Sequence, residues 1–206
     1  MSERAPRPRK EVIDALELPS YVFGHRSLMW WATVGMIAIE ATFFAFAAFT
    51  YFYVWTRMDV WPPASSPPSL LWGTLNLAIM LLSLIPNEIS KKAAETEDLA
   101  TLRKSMTADV VFAAAFLVVR GLEFTALNVR WDTNAYGSAI WVLLGLHTLH
   151  LLTDFYDTVL QWVLLHREPL EGRRFVDASE NAFYWYFVVI AWVPIYFIVY
   201  WCSRLL

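Results

Sequence analysis

Of the 206 residues only one, Cys202, is a cysteine. That excludes an internal disulfide framework, Cys-ligated iron–sulfur clusters and the paired-cysteine copper sites of electron-transfer subunits. Charge is also scarce: 17% of residues are Asp, Glu, Lys or Arg, and the net charge is −3. So small a balance argues against nucleic acid as a partner. There is no internal repeat, and apart from a short proline–serine loop no low-complexity tract, which gives little support to a repeat-built transporter. The first residues, Met1 to Arg26, are polar and basic, but no short apolar core followed by a small-residue cleavage site marks a signal peptide. What fills the chain instead is apolar: 58% of it is hydrophobic and 17% aromatic, with 11 Trp. Such a composition belongs to an integral membrane protein.

Five apolar runs can be set out, each near or above the roughly 20 residues that cross a bilayer core of about 30 Å. They cover about 27–55, 69–86, 108–129, 136–165 and 182–202, which predicts an all-α bundle of five transmembrane helices. Residues 1–26 form a basic amino-terminal segment, and 27–206 a single membrane domain. Between the first two runs stands RMDVWPPASSPP, where Ser65, Ser66, Pro67 and Pro68 suit a helix start. Asn87 to Ser105 mixes charges at helical spacing, as a solvated extension or a helical hairpin connection does. Pro194 is expected to kink the last helix. Twelve Lys or Arg fall on the side of the amino terminus, against three (Arg57, Arg130 and Arg204) on the other. That asymmetry makes the amino terminus cytoplasmic and the carboxyl terminus external.

The fourth run carries His147, His150, Asp154 and Asp157 at i, i+3, i+7 and i+10. On a helix these fall within an arc of roughly 80°, a stripe that cannot face lipid. By depth, Arg120 and His147 stand about nine residues from the external boundary on neighbouring antiparallel helices, with Glu123 close by, so the three can meet. They form either a satisfied structural cluster locking helices three and four or part of a proton or ion path. His150 lies one turn deeper, while Asp154 and Asp157 descend towards the cytoplasmic end as ordinary boundary groups or as a polar entry. Thr74 and Asn76 offer hydrogen-bonding groups in the second run. Glu40, near the middle of the first, has no cation on its own face. It reaches across to the Arg120 cluster, faces a partner subunit, or stays protonated near lipid. His147 and His150 share one helix face, so they cannot ligate one haem iron from opposite sides, and a zinc site lacks a third ligand at diagnostic spacing.

Several motifs stand in order along these runs: IEATFFAF around Glu40, Trp61-Pro62-Pro63 in the loop after it, and VRGLEF with Arg120, Glu123 and Phe124. Then come Tyr136-Gly137-Ser138, Gly145 with His147 and His150, and ENAFYWYFVVIAW in the fifth run. In this order they resemble subunit III of the haem-copper oxidases, over about residues 28–202. The chain departs from that pattern at Tyr186 and Val189, where the family usually has His and Asp, and at Asp154, where it often has Gly.

The resemblance implies the short five-helix form, and a subunit with no haem or copper of its own, those belonging to partner subunits. It implies packing on oxidase subunit I, in a complex with subunit II, together with phospholipid binding, assembly and sustained proton uptake in a bacterial-type inner membrane. Glu40, Arg120, Glu123, His147, His150 and Asp154 are then the expected buried polar, proton-linked or packing residues, and no residue is expected to be catalytic. The related accessory subunit of nitric oxide reductase shares the fold and motifs. Readings from other classes are an independent proton-coupled transporter built on Glu40 and His147, and a haem-binding electron carrier.

Overall fold

The computed structural model describes residues 21–63, 67–167 and 171–206. Most of the basic amino-terminal segment and the Ser65–Ser66 pair therefore lie outside the described residues. Five long helices follow in order: α1 (Leu28–Trp55), α2 (Leu70–Glu95), α3 (Leu99–Thr125), α4 (Ala135–Leu165) and α5 (Arg173–Tyr196). A π-helical stretch, Phe197–Cys202, and a last turn, Ser203–Leu205, continue α5. All five are long and apolar enough to cross a membrane, and no strand occurs among the described residues.

Helices α2, α3, α4 and α5 close a ring in which each packs on the next and α5 returns to α2. Helix α1 lies outside it, against α4 and α5. Its apolar residues run right round the helix, yet only Thr33, Phe44 and Tyr51 are buried, while Phe43, Phe46, Phe49 and Tyr53 point outward. In lipid an apolar side chain needs no protein cover, so hydrophobicity alone does not reveal which face is inside. The main core runs the length of the ring from Met80 and Phe116 to Trp192 and Val199.

Four boundaries differ from the sequence expectation. The second run was expected to end at Pro86, but α2 passes through it to Glu95, and α3 begins at Leu99 rather than near residue 108. Ser83, Pro86, Asn87, Ser90, Ala93 and Ala94 form a buried stripe of small and polar residues, whose packing on α3 and α5 outweighs the hydrogen bond that Pro86 cannot donate. The charged stretch 87–105 is thus a helical hairpin that turns within Thr96–Asp98. Asp98 N–H donates to Ala93 O (2.9 Å) and Glu97 N–H to Ala94 O (3.1 Å), with Glu97 at φ 54°, the paired bonds of a Schellman turn. Asp98 at once caps α3, accepting from Thr101 N–H at 3.2 Å.

At the other end α3 stops at Thr125, not 129, and Asn128 takes a left-handed φ of 59°. Helix α5 starts at Arg173, well before the expected residue 182. Its first turns put Phe175 and Ala178 into a second small core with Ala93, Leu102, Met106 and Leu165.

Candidate functional site

Two clusters of inward polar side chains carry most of the motif residues of the bundle. The deeper one centres on Glu123, a carboxylate only 1% exposed. Arg120 Nη1 lies 2.8 Å from Glu123 Oε2, the Asn76 side-chain amide donates to the same oxygen, and Tyr200 O–H donates to Oε1. One carboxylate thereby joins α2, α3 and the π-helical stretch. Gly73 makes room for this: a Cβ there would lie 2.4 Å from the Tyr200 ring.

Arg120, also 1% exposed, is covered by Trp192, whose ring centroid is 3.9 Å from the guanidinium carbon, and by Phe116 at 5.0 Å. Its Nη2 contacts His147 Nδ1 at 3.2 Å, and His147 Nε2 lies 3.1 Å from Val188 O. A guanidinium only donates, so Nδ1 accepts and the ring proton sits on Nε2, donated to the α5 carbonyl. His147 thus ties α3, α4 and α5 at one point. The expected meeting of Arg120, Glu123 and His147 is present.

Glu40 does not reach this cluster. Its Oε2 accepts from Tyr184 O–H at 2.7 Å, and its Oε1 lies 3.5 Å from His150 Nε2. His150 faces Glu40 of α1 rather than Arg120 and Glu123, because three residues along α4 turn it about 60° away from His147. Its Nδ1 donates to Leu146 O at 2.6 Å, and the Phe44 ring lies between the two histidines, 4.9 Å from His150 and 6.1 Å from His147. A proton on His150 Nε2 or on Glu40 completes their contact.

Further along α4, Asp154 is only 3% exposed, and neither carboxylate oxygen has a hydrogen-bond partner among the described residues. Asp157 is half-buried and accepts from the Gln161 amide at 2.8 Å. No three His, Cys, Asp or Glu converge as metal ligands among the described residues.

The sequence pattern described as cytochrome c oxidase subunit III matches residues 25–204. The chain belongs to the cytochrome c oxidase subunit III family. Among similar proteins, cytochrome c oxidase subunit 3 of Synechocystis sp. is 27% identical, over 86% of this chain and 77% of its own length. The probable cytochrome c oxidase subunit 3 of Nocardia farcinica is 24% identical over 82% of this chain and 85% of its own. That of Artemia franciscana is 24% identical over 83% and 68%. Subunit III of this family is non-catalytic and works within a multi-subunit oxidase, and the five apolar helices make the chain a multi-pass membrane protein.

The subunit III motifs fall on these contacts. Trp61 Nε1 donates to the Tyr51 hydroxyl at 3.3 Å, and Tyr51 and Tyr136 both reach Ser203, at 3.1 and 3.0 Å. In the fifth-helix motif Tyr184 holds Glu40, Trp185 Nε1 donates to Ser83 Oγ at 2.9 Å, and Trp192 covers Arg120. The two departures there are accommodated: Tyr186 O–H donates to Glu88 of α2, and Val189 is buried in apolar core. Sequence reasoning missed Tyr184, Trp192 and Tyr200 as members of the clusters. Tyr184, Trp185, Val188 and Trp192 recur at helical spacing, which marks one inward face. Tyr200 gave no such signal, because the wider π-helical turn resets the register.

Proposed function

We propose that the chain is the non-catalytic subunit III of a proton-pumping haem-copper terminal oxidase of the cytochrome c oxidase type, serving aerobic respiration. In this role it packs on subunit I, in a complex that includes subunit II, supports assembly, binds phospholipid and helps sustain proton uptake. The family match over residues 25–204 carries the reading. The relatives named above support an oxidase rather than a nitric oxide reductase as the host complex.

Buried Arg120, Glu123 and His147, with half-buried Glu40 and His150, are the residues through which the bundle keeps the shape that subunit I meets. Each joins helices that a wholly apolar interface would leave freer to slide in lipid. Phospholipid binding is supported by α1, whose outward face is a run of exposed large apolar side chains. The charge asymmetry of the loops supports a bacterial-type inner membrane with the amino terminus in the cytoplasm.

Affinity purification of the tagged chain from its own membranes in mild detergent tests the reading. Stoichiometric haem-bearing and copper-bearing oxidase subunits are the expected companions. Recovery with nitric oxide reductase subunits, or of the chain alone with intact transport activity in liposomes, contradicts it.

A further inference from the structure

A small cavity lies between α2, α3, α4 and α5, on the side of the bundle that carries the α2–α3 turn. Its volume is about 10 Å³, the room of a single water-sized species. Six of the eight residues lining it are polar: Ser83, Asn87, Asp109, Asp154, Thr158 and Asn181, with Ala113 and Trp185 completing the wall.

The donors around this cavity are already engaged. Trp185 Nε1 donates to Ser83, Ser83 O–H to Met80 O (2.7 Å), the Asn87 amide to Ala182 O (3.0 Å) and the Asn181 amide to Thr158 Oγ1 (3.0 Å). Ser90 donates to Asp109 Oδ2 at 2.5 Å. Among the described residues no donor reaches either oxygen of Asp154. Neither Lys nor Arg lines the cavity, so two carboxylates and several neutral oxygens converge on a space without a compensating charge. An ionised carboxylate taken out of water with no partner costs several kcal/mol.

A larger vestibule of about 540 Å³ between α1, α4 and α5 shares Asp154 and Asn181 with the cavity and so lies directly beside it. Its polar lining is also biased to acceptors: Glu180 Oε2 and Gln161 Oε1 are buried there without partners among the described residues. Five carboxylates line it against one cation, Arg174, which is already paired with Asp177 at 3.3 Å. Such a field concentrates cations at its mouth.

We propose that the cavity is a binding site for one small, hard monovalent cation, sodium, held chiefly by Asp154 and Asp109, with the acidic vestibule as its entry. Hard cations take oxygen ligands of this kind, whereas zinc and the later transition metals prefer nitrogen and sulfur, which this wall does not offer. The space suits sodium better than the larger potassium ion. The cavity is separate from the Glu123 cluster and touches the Glu40 cluster only through the vestibule, which Glu40 and Tyr184 line, and it is independent of which oxidase hosts the chain.

The test uses the purified full chain in detergent, with radioactive ²²Na⁺ as the probe and with thermal unfolding in sodium, potassium or choline chloride at equal ionic strength. Wild type is expected to bind close to one ²²Na⁺ per chain saturably, and to melt higher in sodium than in choline or potassium. Asp154→Asn and Asp109→Asn should each weaken ²²Na⁺ binding by at least about tenfold. Since Asp154→Asn removes the uncompensated charge, it should melt above wild type in choline and ignore sodium. Should that variant not fold, Asp109→Asn and Thr158→Val provide the same reading of ²²Na⁺ affinity. The proposal is overturned if wild type binds no ²²Na⁺ saturably, if it melts identically in all three salts, or if binding persists unchanged in both aspartate variants.

Discussion

Arg120 is 1% exposed, so its charge is tolerable only while Glu123, 2.8 Å away, remains ionised beside it. Replacing Glu123 with Gln keeps the shape and leaves a buried guanidinium uncompensated, a change that costs about 3–5 kcal/mol in comparable buried pairs. Thermal unfolding of the purified chain should register a large drop for Glu123→Gln. In the double variant Arg120→Met with Glu123→Gln the drop should be much smaller, because no unpaired charge remains. Equal losses in the two would remove the pairing as the cause. The meeting of Arg120, Glu123 and His147 was legible from depth alone, since three polar groups at one level on adjacent antiparallel helices have few other partners. The turn of His150 towards Glu40 was not: a 3.6-residue period says that two side chains diverge, but not which helix stands opposite each.

Among the elements, close approach and capping decide more than hydrophobicity. Gly73 lets the π-helical stretch bring Tyr200 over α2 and onto Glu123. Gly73→Ala should therefore cost about 1–3 kcal/mol, the range for overpacking a filled interior, and should free the Tyr200 hydroxyl, read as a shifted tyrosine fluorescence or ultraviolet difference spectrum. An unchanged melting temperature and spectrum would contradict the contact. At the α2–α3 turn, hydrogen bonds from Thr101 hold the Asp98 carboxyl below its ordinary range. A depressed value in the folded state means that the cap stabilises above the unfolded value and is lost as pH falls through the folded one. Amide exchange in the first turn of α3 should accordingly quicken at acid pH in wild type and show no such step in Asp98→Asn. The turn itself escaped the sequence reading because its left-handed position is Glu97, where a glycine would have announced it. The early start of α5 escaped for a related reason: Arg173, Arg174, Asp177 and Glu180 give 173–181 a polar background above which its few inward apolar residues, Phe175, Val176 and Ala178, do not rise.

For the whole molecule, the count and order of the five spans were legible, because length and apolarity set them directly. Their arrangement, four helices in a ring with α1 outside, was not: every helix is apolar towards lipid as well as towards its neighbours, and only the polar residues distinguish the two. Subunit III membership gives those polar residues a place in an oxidase, and the proposal gives them a structural and proton-linked role there, with the redox centres in other subunits. The loop charges predict that the amino terminus is protected from added protease in intact cells and cleaved in inverted vesicles, and the reverse pattern would contradict a cytoplasmic amino terminus.

The most direct measurement compares oxidase complexes purified through the wild-type chain and through its His147→Ala variant, recording haem spectra and oxygen consumption over successive turnovers. Both complexes should show the same haem spectrum and similar initial rates, while the variant loses activity sooner during turnover or sheds the chain more readily. Loss of haem from the variant complex, or an identical course of activity with the chain equally retained, would contradict the account.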